Sequence, residues 1–139
     1  MTRVFIDTVG LLALWDKNDQ WYAAAEPAWR KMIGSGAVPC TTPFVLLECG
    51  NAASRRSYRQ AVDDIRQQFE RAEMLIWPTD DEWVRAWDAY DRGKPGAAGI
   101  VDQFSFMIMR RLGITDAFTN DRHFRAVGFT DRCAMKFNL

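Results

Sequence analysis

The chain has 139 residues, of which 48% are hydrophobic and 26% charged, and its formal net charge is zero. That length fits one domain with one core, so we expect residues 1–139 to form a single domain. The balanced charge excludes a general polyanion-binding protein but leaves room for a local basic rim. No apolar run approaches the roughly 20 residues of a membrane-spanning helix, and three widely spaced cysteines do not suggest a disulfide framework. We therefore expect a soluble, cytoplasmic protein with reduced core cysteines and no membrane contact.

The first half of the chain alternates short apolar runs with helical patterns. The predicted elements are a strand over 3–6, a helix through Trp15, a helix over 19–32, a strand over 37–41 and a helix from Pro43. Pro27 is expected to disturb the second helix locally, because proline removes a backbone donor. Pro43 instead suits the first turn of the third helix, which carries Glu48.

The second half continues the alternation. The predicted elements are a helix over 58–69, a strand over 74–77, a helix from Thr79, a loop at 93–96, a helix over 99–112, a strand over 117–119, a short helix from Asn120 and a strand near 134–137. Thr79 and Glu82 form a capping-box pattern. We place Trp77, Trp83 and Trp87 in the core, since the last two fall on the apolar stripe of their helix. The repeating order predicts an α/β fold, with a mostly parallel central sheet and helices on both faces.

Four acidic residues occupy positions that could meet at one rim of this sheet. Asp7 and Asp121 each follow a predicted strand at its carboxyl end, where open parallel sheets bind ligands. Asp102 lies in the first turn of its helix, and Glu48 is expected on the apolar side of its helix. Converging carboxylates repel one another, and a divalent cation with oxygen ligands removes that penalty. The pattern therefore favours a metal-dependent hydrolase with these four acids as catalytic and metal-binding residues.

Each acid also has an ordinary structural interpretation. Asp7 and Asp121 could cap the helices that follow them, and Asp102 could interact with its helix dipole. Taken singly, each is about as well explained by structure as by function. Glu48 is the exception, because capping does not apply in the middle of a helix, although an arginine partner would suffice.

Basic residues are expected around the acidic rim, because a phosphate-bearing substrate must approach it. Arg55 lies seven residues after Glu48, two turns along the same predicted helix face, and Arg56 continues that cluster. Arg122 flanks Asp121. The structural alternative for Arg55 and Arg56 is that they complement a helix C-terminus.

Several segments together resemble the PIN-domain ribonucleases. They are residues 4–8 (VFIDT), 46–48 (LLE), 101–106 (VDQFSF) and 117–124 (AFTNDRHF), continuing to Gly128 and Phe129. The chain length and the closing segment are most similar to the VapC-type toxins of that family. The resemblance covers essentially the whole chain and rests on the order and spacing of all four acids together.

The resemblance implies a function and a set of site residues. Asp7, Glu48, Asp102 and Asp121 match the family's acidic quartet, which binds magnesium or manganese and activates water to cleave RNA. Thr8 and Thr119 match hydroxyl positions that support the quartet, and Arg55, Arg56 and Arg122 become candidates for RNA binding. Gly99 departs from the pattern, since many relatives carry a small hydroxyl residue there.

The resemblance also implies partners: an RNA substrate, a small antitoxin that inserts a segment near the acidic pocket, and a second copy in a homodimer. Trp15, Trp21 and Tyr22 could cover a groove for the second copy or for an inhibitory peptide. Three alternatives stay open at this point. They are a receiver-type signalling module that accepts a phosphoryl group on Asp7, a PIN domain with a housekeeping role in RNA processing, and an inactive RNA-binding domain.

Overall fold

The computed structural model of the chain describes residues 2–131. The elements in chain order are β1 (Arg3–Ile6), α1 (Thr8–Trp15), α2 (Tyr22–Gly34), β2 (Val38–Cys40), α3 (Pro43–Ala53), α4 (Arg59–Arg71), α5 (Asp80–Arg92), α6 (Ile100–Leu112), β3 (Asp116–Phe118), α7 (Arg122–Ala126) and β4 (Thr130–Asp131). Pro27 lies inside α2, which continues past it to Gly34. No helix in this part of the chain is both long and apolar enough to cross a membrane.

The four strands form one sheet in the order β2-β1-β3-β4, and every pair is parallel. Phe5 sits at the centre, with Cα partners Cys40 on one side and Ala117 on the other. Because β2 and β3 flank β1, right-handed crossovers place the connecting helices on opposite faces of the sheet. Successive residues Val4, Phe5 and Ile6 are all buried, as expected when both faces are covered. The predicted fold class is confirmed.

Two predicted strands differ from the structure. Residues 74–77 do not form a strand, and only a single bridge joins Leu75 to Thr41. The strand predicted near 134–137 lies outside the described residues. The sequence reading missed β4, whose Thr130 pairs with Asp116, because two residues are too short to show an alternating pattern.

The capping box at the start of α5 is present as predicted, but α5 does not bury the face that carries Trp83 and Trp87, as the sequence predicted. The buried residues of α5 are Glu82 and Ala86, and Glu82 receives the Arg111 guanidinium from α6 at 3.0 Å. The tryptophan stripe lies at the surface, although the ring of Trp83 is still 5.3 Å from that of the buried Phe104. Trp83 is 47% exposed and Trp87 38% exposed.

The core assignment of Trp77 is also wrong, because its side chain is 65% exposed. The prediction of reduced core cysteines is confirmed for Cys40 and Cys49, which are free and buried. Burial raises the pKa of the Cys40 thiol to about 12, so the thiol stays protonated and unreactive. Cys133 lies outside the described residues.

Gly10 allows the first helix to pack directly onto the sheet. A Cβ atom at this position would lie 2.4 Å from the carbonyl oxygen of Phe118 in β3. The Asp7 N–H also donates to that same carbonyl, at 3.2 Å. The start of α1 is therefore fixed against the end of β3, which brings Asp7 close to Thr119.

Candidate active site

Asp7 follows β1 at its carboxyl end and occupies the residue before α1. Its side chain makes no capping hydrogen bond to that helix. Instead, its Oδ2 accepts a hydrogen bond from Thr119 Oγ1 at 2.8 Å, and only 2% of the residue is exposed. The capping interpretation of Asp7 is therefore wrong.

The two threonines predicted as supporting residues each contact an acid of the quartet. Thr119 donates to Asp7, and its Oγ1 also accepts from the Asp121 N–H at 3.0 Å. Thr8 donates to Glu48 Oε1 at 2.6 Å. Thr119 thus joins the end of β1 to the turn after β3, and Thr8 joins α1 to α3.

Asp121 both caps α7 and lines the site. Its Oδ1 accepts from the His123 N–H at 2.9 Å, so the expected cap of α7 is present. The same oxygen lies 2.6 Å from His123 Nδ1. His123 Nε2 lies 3.0 Å from the Gly96 carbonyl, and that carbonyl, followed by Asp121, raises the pKa of the imidazole. His123 therefore fixes the loop before α6 to α7.

Glu48 lies differently from the prediction. The sequence placed it on the apolar side of its helix, whereas the structure leaves it exposed, next to the exposed Leu47. The buried side of α3 is formed by Val45, Leu46, Cys49 and Ala53. Glu48 reaches the site from the solvent side, where Thr8 orients its carboxylate.

All four acids line one open cleft with a volume of about 850 Å³. Its walls come from α1, α3, α5, the start of α6 and the turn after β3, and the lining residues are Asp7, Thr8, Val9, Glu48, Asn51, Ala52, Tyr90, Gly99, Ile100, Val101, Asp102 and Asp121. The predicted convergence of the four acids is thus present in the structure. Asn51 and Tyr90 were missed, although Asn51 falls one helical turn after Glu48 and that spacing could have shown it.

The electrostatics of the cleft are those of acids without a lysine or arginine counter-charge. Within residues 2–131, no lysine or arginine forms an ion pair with any of the four. Burial raises the pKa of Asp7 to about 7, with smaller contributions from the charges of Asp121 and Glu48. The pKa of Asp102 is raised to about 8, mainly by burial. The charges of Asp7 and Asp121 and a hydrogen bond with Asp121 raise it further.

The cleft fits a hard divalent cation. Asp102, Asp121 and His123 each offer a ligand atom, and these three atoms lie within 4.8 Å of one another. The remaining donors are carboxylate and hydroxyl oxygens, the class that magnesium and manganese prefer. A cation here would also remove the repulsion and desolvation that raise the two pKa values.

The predicted basic residues lie outside the cleft lining. Arg55 was expected two turns along the helix face of Glu48, but α3 ends at Ala53, where the Ser54 N–H bonds back to the Asn51 carbonyl. That geometric prediction is wrong, because the last turn tightens and the chain leaves the helix. Arg55, Arg56 and Arg122 are all exposed.

Comparisons with known proteins agree with this geometry. The family profile of the PIN domain matches residues 4–130. The chain is 29% identical over 129 residues to the 23S rRNA-specific endonuclease VapC20 of Mycobacterium tuberculosis, in both strain H37Rv and strain CDC 1551, covering 92% of this chain and 96% of the relative. A crystal structure of Mycobacterium tuberculosis VapC20, described as a Sarcin-Ricin loop cleaving toxin, matches with a TM-score of 0.74 and 27% identity, covering 92% of this chain and 97% of that one.

Proposed function

The chain belongs to the PIN-domain family, and from this membership we propose that it is a metal-dependent endoribonuclease that acts as the toxin of a toxin-antitoxin pair. The observation that carries the proposal is the single cleft lined by four carboxylates with no lysine or arginine paired to them within residues 2–131. The family match argues against the receiver-type alternative. A housekeeping role in RNA processing stays a second possibility for the same chemistry.

Magnesium or manganese is the cation that the donor set favours. Asp7 and Asp102 are the firmest proposed ligands, because burial raises the pKa of each and neither has a lysine or arginine partner within residues 2–131. Asp121 and Glu48 complete the shell. A bound divalent cation lowers the pKa of water and neutralises charge that builds on the phosphate during hydrolysis.

The side chains of the chain itself supply positioning. Thr119 fixes the Asp7 carboxylate, Thr8 fixes that of Glu48, and His123 fixes Asp121. Each of these acids therefore meets the substrate in one orientation, which lowers the reorganisation needed during reaction. In this proposal the acids take part in catalysis, and Thr119, Thr8 and His123 orient them.

The partners follow from the same proposal. RNA is the substrate, and Arg55, Arg56 and Arg122 are proposed to contact its phosphates from the rim, since all three are exposed and none forms an ion pair within residues 2–131. A small antitoxin is the proposed inhibitor, and a homodimer the proposed assembly. We propose that residues 1–139 form one nuclease domain.

RNA cleavage by the purified chain tests the activity. A structured ribosomal RNA fragment is the probe, incubated with magnesium, with manganese, or with a chelator. We expect cutting only with the cation, and its loss in Asp7→Asn and Asp102→Asn. Asp64→Asn on the exposed side of α4 is the matched control and should keep full activity. Retained cutting by both site variants would contradict the ligand assignment, and RNA binding without cutting by the wild type would indicate an inactive binding domain.

A further inference from the structure

The acidic cleft has an uncharged part that the proposed cation does not use. Apart from the four acids, none of the residues that line the cleft is charged, and none of them is a histidine. We call this uncharged part, without Thr8, the neutral wall, and it comprises Val9, Asn51, Ala52, Tyr90 and residues 99–101. Its side chains are apolar except those of Asn51 and Tyr90. A phosphate would find no counter-charge on the neutral wall, whereas a flat, uncharged heterocycle would find apolar surface and two polar groups.

The cleft is also larger than a cation requires. Its volume is about 850 Å³. An octahedral cation with six waters fills roughly 200 Å³, at about 30 Å³ for each water. Gly99 widens the neutral wall, because a Cβ atom at that position would meet nothing within 4 Å. The cleft can therefore hold a nucleotide beside the cation.

Tyr90 has the exposure and the support that a stacking residue needs. It is 45% exposed, and its ring lies 5.7 Å from that of Trp87 at an interplanar angle of 82°. The Trp87 ring lies 6.0 Å from that of Trp83, which is 5.3 Å from the ring of the buried Phe104. This series of rings connects Tyr90 to the core. The Tyr90 ring thus loses little freedom when a base stacks on it, which favours binding.

Asn51 brings free hydrogen-bonding groups to the same wall. It follows Glu48 by three residues on α3, so the two side chains share a helix face. Within residues 2–131 the side-chain amide of Asn51 forms no hydrogen bond, and Ser54 bonds only to its backbone carbonyl. The amide offers a donor next to an acceptor, which complements the exposed edge of an unpaired base.

An exposed asparagine or tyrosine is ordinary when it stands alone. Asn51 and Tyr90 differ because they share one cleft with the proposed catalytic acids. A base inside a duplex has its faces and its pairing edge covered, so only an unpaired base could use both groups. We propose that the neutral wall binds an unpaired nucleobase beside the scissile phosphate, with Tyr90 stacking on the base and Asn51 bonding its edge.

This inference rests on the proposed ribonuclease function and adds a basis for substrate selection. The acids act on the phosphate, which is the same in every nucleotide. The neutral wall contacts the base, which differs between nucleotides. RNA whose cut site carries an unpaired base should therefore be cleaved in preference to duplex RNA.

Steady-state cleavage of the ribosomal RNA fragment tests the two residues. Tyr90→Leu should raise KM about 10-fold with little change in kcat, because stacking holds the substrate before and during reaction alike. Tyr90→Phe keeps the ring and should stay within about 2-fold of the wild type. Asn51→Leu should raise KM about 5-fold. Gln68→Leu, an amide replacement on the exposed side of α4, is the matched control and should not change KM.

An abasic nucleotide at the cut site separates base contact from a general disturbance of the cleft. The wild type should lose about as much on the abasic RNA as Tyr90→Leu loses on intact RNA. Tyr90→Leu should lose little more on the abasic RNA, because the contact is already absent. A fall in kcat at unchanged KM, or full additivity of the two losses, would contradict stacking by Tyr90.

A binding measurement keeps this inference apart from the proposed function. The probe is a short single-stranded RNA with 2-aminopurine at each position in turn, titrated with protein in calcium. Stacking should quench the fluorescence with the wild type and Tyr90→Phe, but not with Tyr90→Leu. Quenching by a wild type that cleaves no RNA contradicts only the nuclease. Equal quenching by Tyr90→Leu and the wild type, or no quenching by either, overturns the inference, including the case in which the neutral wall binds a protein partner.

Discussion

Two buried carboxylates of this protein have opposite electrostatics. Asp7 is 2% exposed and Glu82 is 3% exposed. Burial raises the pKa of Asp7 to about 7. Burial alone would also raise the pKa of Glu82, but hydrogen bonds from Thr79 and the Arg111 guanidinium outweigh it and hold that pKa below its ordinary value.

The opposite pKa shifts distinguish an acid that stabilises the fold, Glu82, from an acid of the candidate active site, Asp7. The charge of Glu82 is compensated inside the fold, by a guanidinium held at 3.0 Å and by the capping box of α5. Asp7 has one hydroxyl donor, from Thr119, and further acids as neighbours. A buried acid whose partner is missing from the fold indicates a cation that comes from outside.

The largest expected effect comes from removing the charge at Asp7 or Asp102. Asp7→Asn and Asp102→Asn should each lower RNA cleavage by at least about 100-fold, because each removes a proposed cation ligand. Neither should destabilise the metal-free protein at pH 8, since the fold gains nothing from that charge. Cleavage rates and urea unfolding of the same variants measure both effects. A large loss of stability in either variant would place that acid in the same class as Glu82.

Removing the partner of Glu82 should give the opposite result. Arg111→Met leaves a buried carboxylate without its guanidinium, and we expect a loss of about 2–3 kcal/mol in the free energy of unfolding, less than for a fully buried pair because Arg111 is partly exposed. Cleavage per folded molecule should not change. Urea titration gives the stability, and an unchanged midpoint would show that Glu82 is compensated in another way.

The pH dependence of stability should sharpen the contrast. The folded-state pKa values of Asp7 and Asp102 are about 7 and about 8, above the ordinary 3.8. Their contribution to stability is therefore fully present below pH 3.8 and is lost as the pH rises through 7 to 8. The metal-free wild type should thus have a lower Tm at pH 8.5 than at pH 6.

Two controls test the cause of that pH dependence. Asp7→Asn should reduce the fall in Tm between pH 6 and pH 8.5. Saturating manganese at pH 8.5 should restore about 2 kcal/mol to the wild type, as a ligand of the folded state does by mass action. A Tm that is the same at both pH values in the metal-free wild type would contradict the raised pKa values.

The smallest effects concern the hydroxyls beside the two acids. Thr119→Val keeps the shape but removes the donor to Asp7, and we expect about a 10-fold loss of cleavage from misorientation of a ligand. Thr79→Val removes the cap of α5 and should cost about 1 kcal/mol of stability with no effect on cleavage. Kinetics and thermal melts of the pair measure both. Equal cleavage by the two variants would remove the positioning role of Thr119.

The features that were predicted correctly from the sequence depend on short-range patterns and on the sheet topology. The bounds of β1 and the capping box at Thr79 are local signals, and both are present in the structure. The convergence of Asp7 and Asp121 follows from parallel strands, whose carboxyl ends share one edge. Knowledge of the fold class was therefore sufficient to bring these two acids together.

The features that were predicted wrongly depend on helix rotations, helix ends and long-range contacts, which no local sequence pattern encodes. The tryptophans of α5 looked like core residues, but the helix buries Glu82 against Arg111, 29 residues later in the chain, and leaves Trp83 and Trp87 partly exposed. Glu48 was assigned to an apolar side by its distance from Phe44 and Leu47, yet Leu47 is itself exposed. Arg55 was misplaced because a helix end moves the residues that follow it.

Anomalous scattering from crystals grown with manganese tests the central claim most directly. The claim is that the four acids of the cleft have no lysine or arginine partner within residues 2–131 because they hold a cation. We expect an anomalous difference peak inside the cleft, in contact with carboxylate oxygens of Asp7 and Asp102, and we expect it to be absent in Asp7→Asn. A cleft without a peak at saturating manganese, or a peak that stays in the same place in Asp7→Asn, would contradict the account.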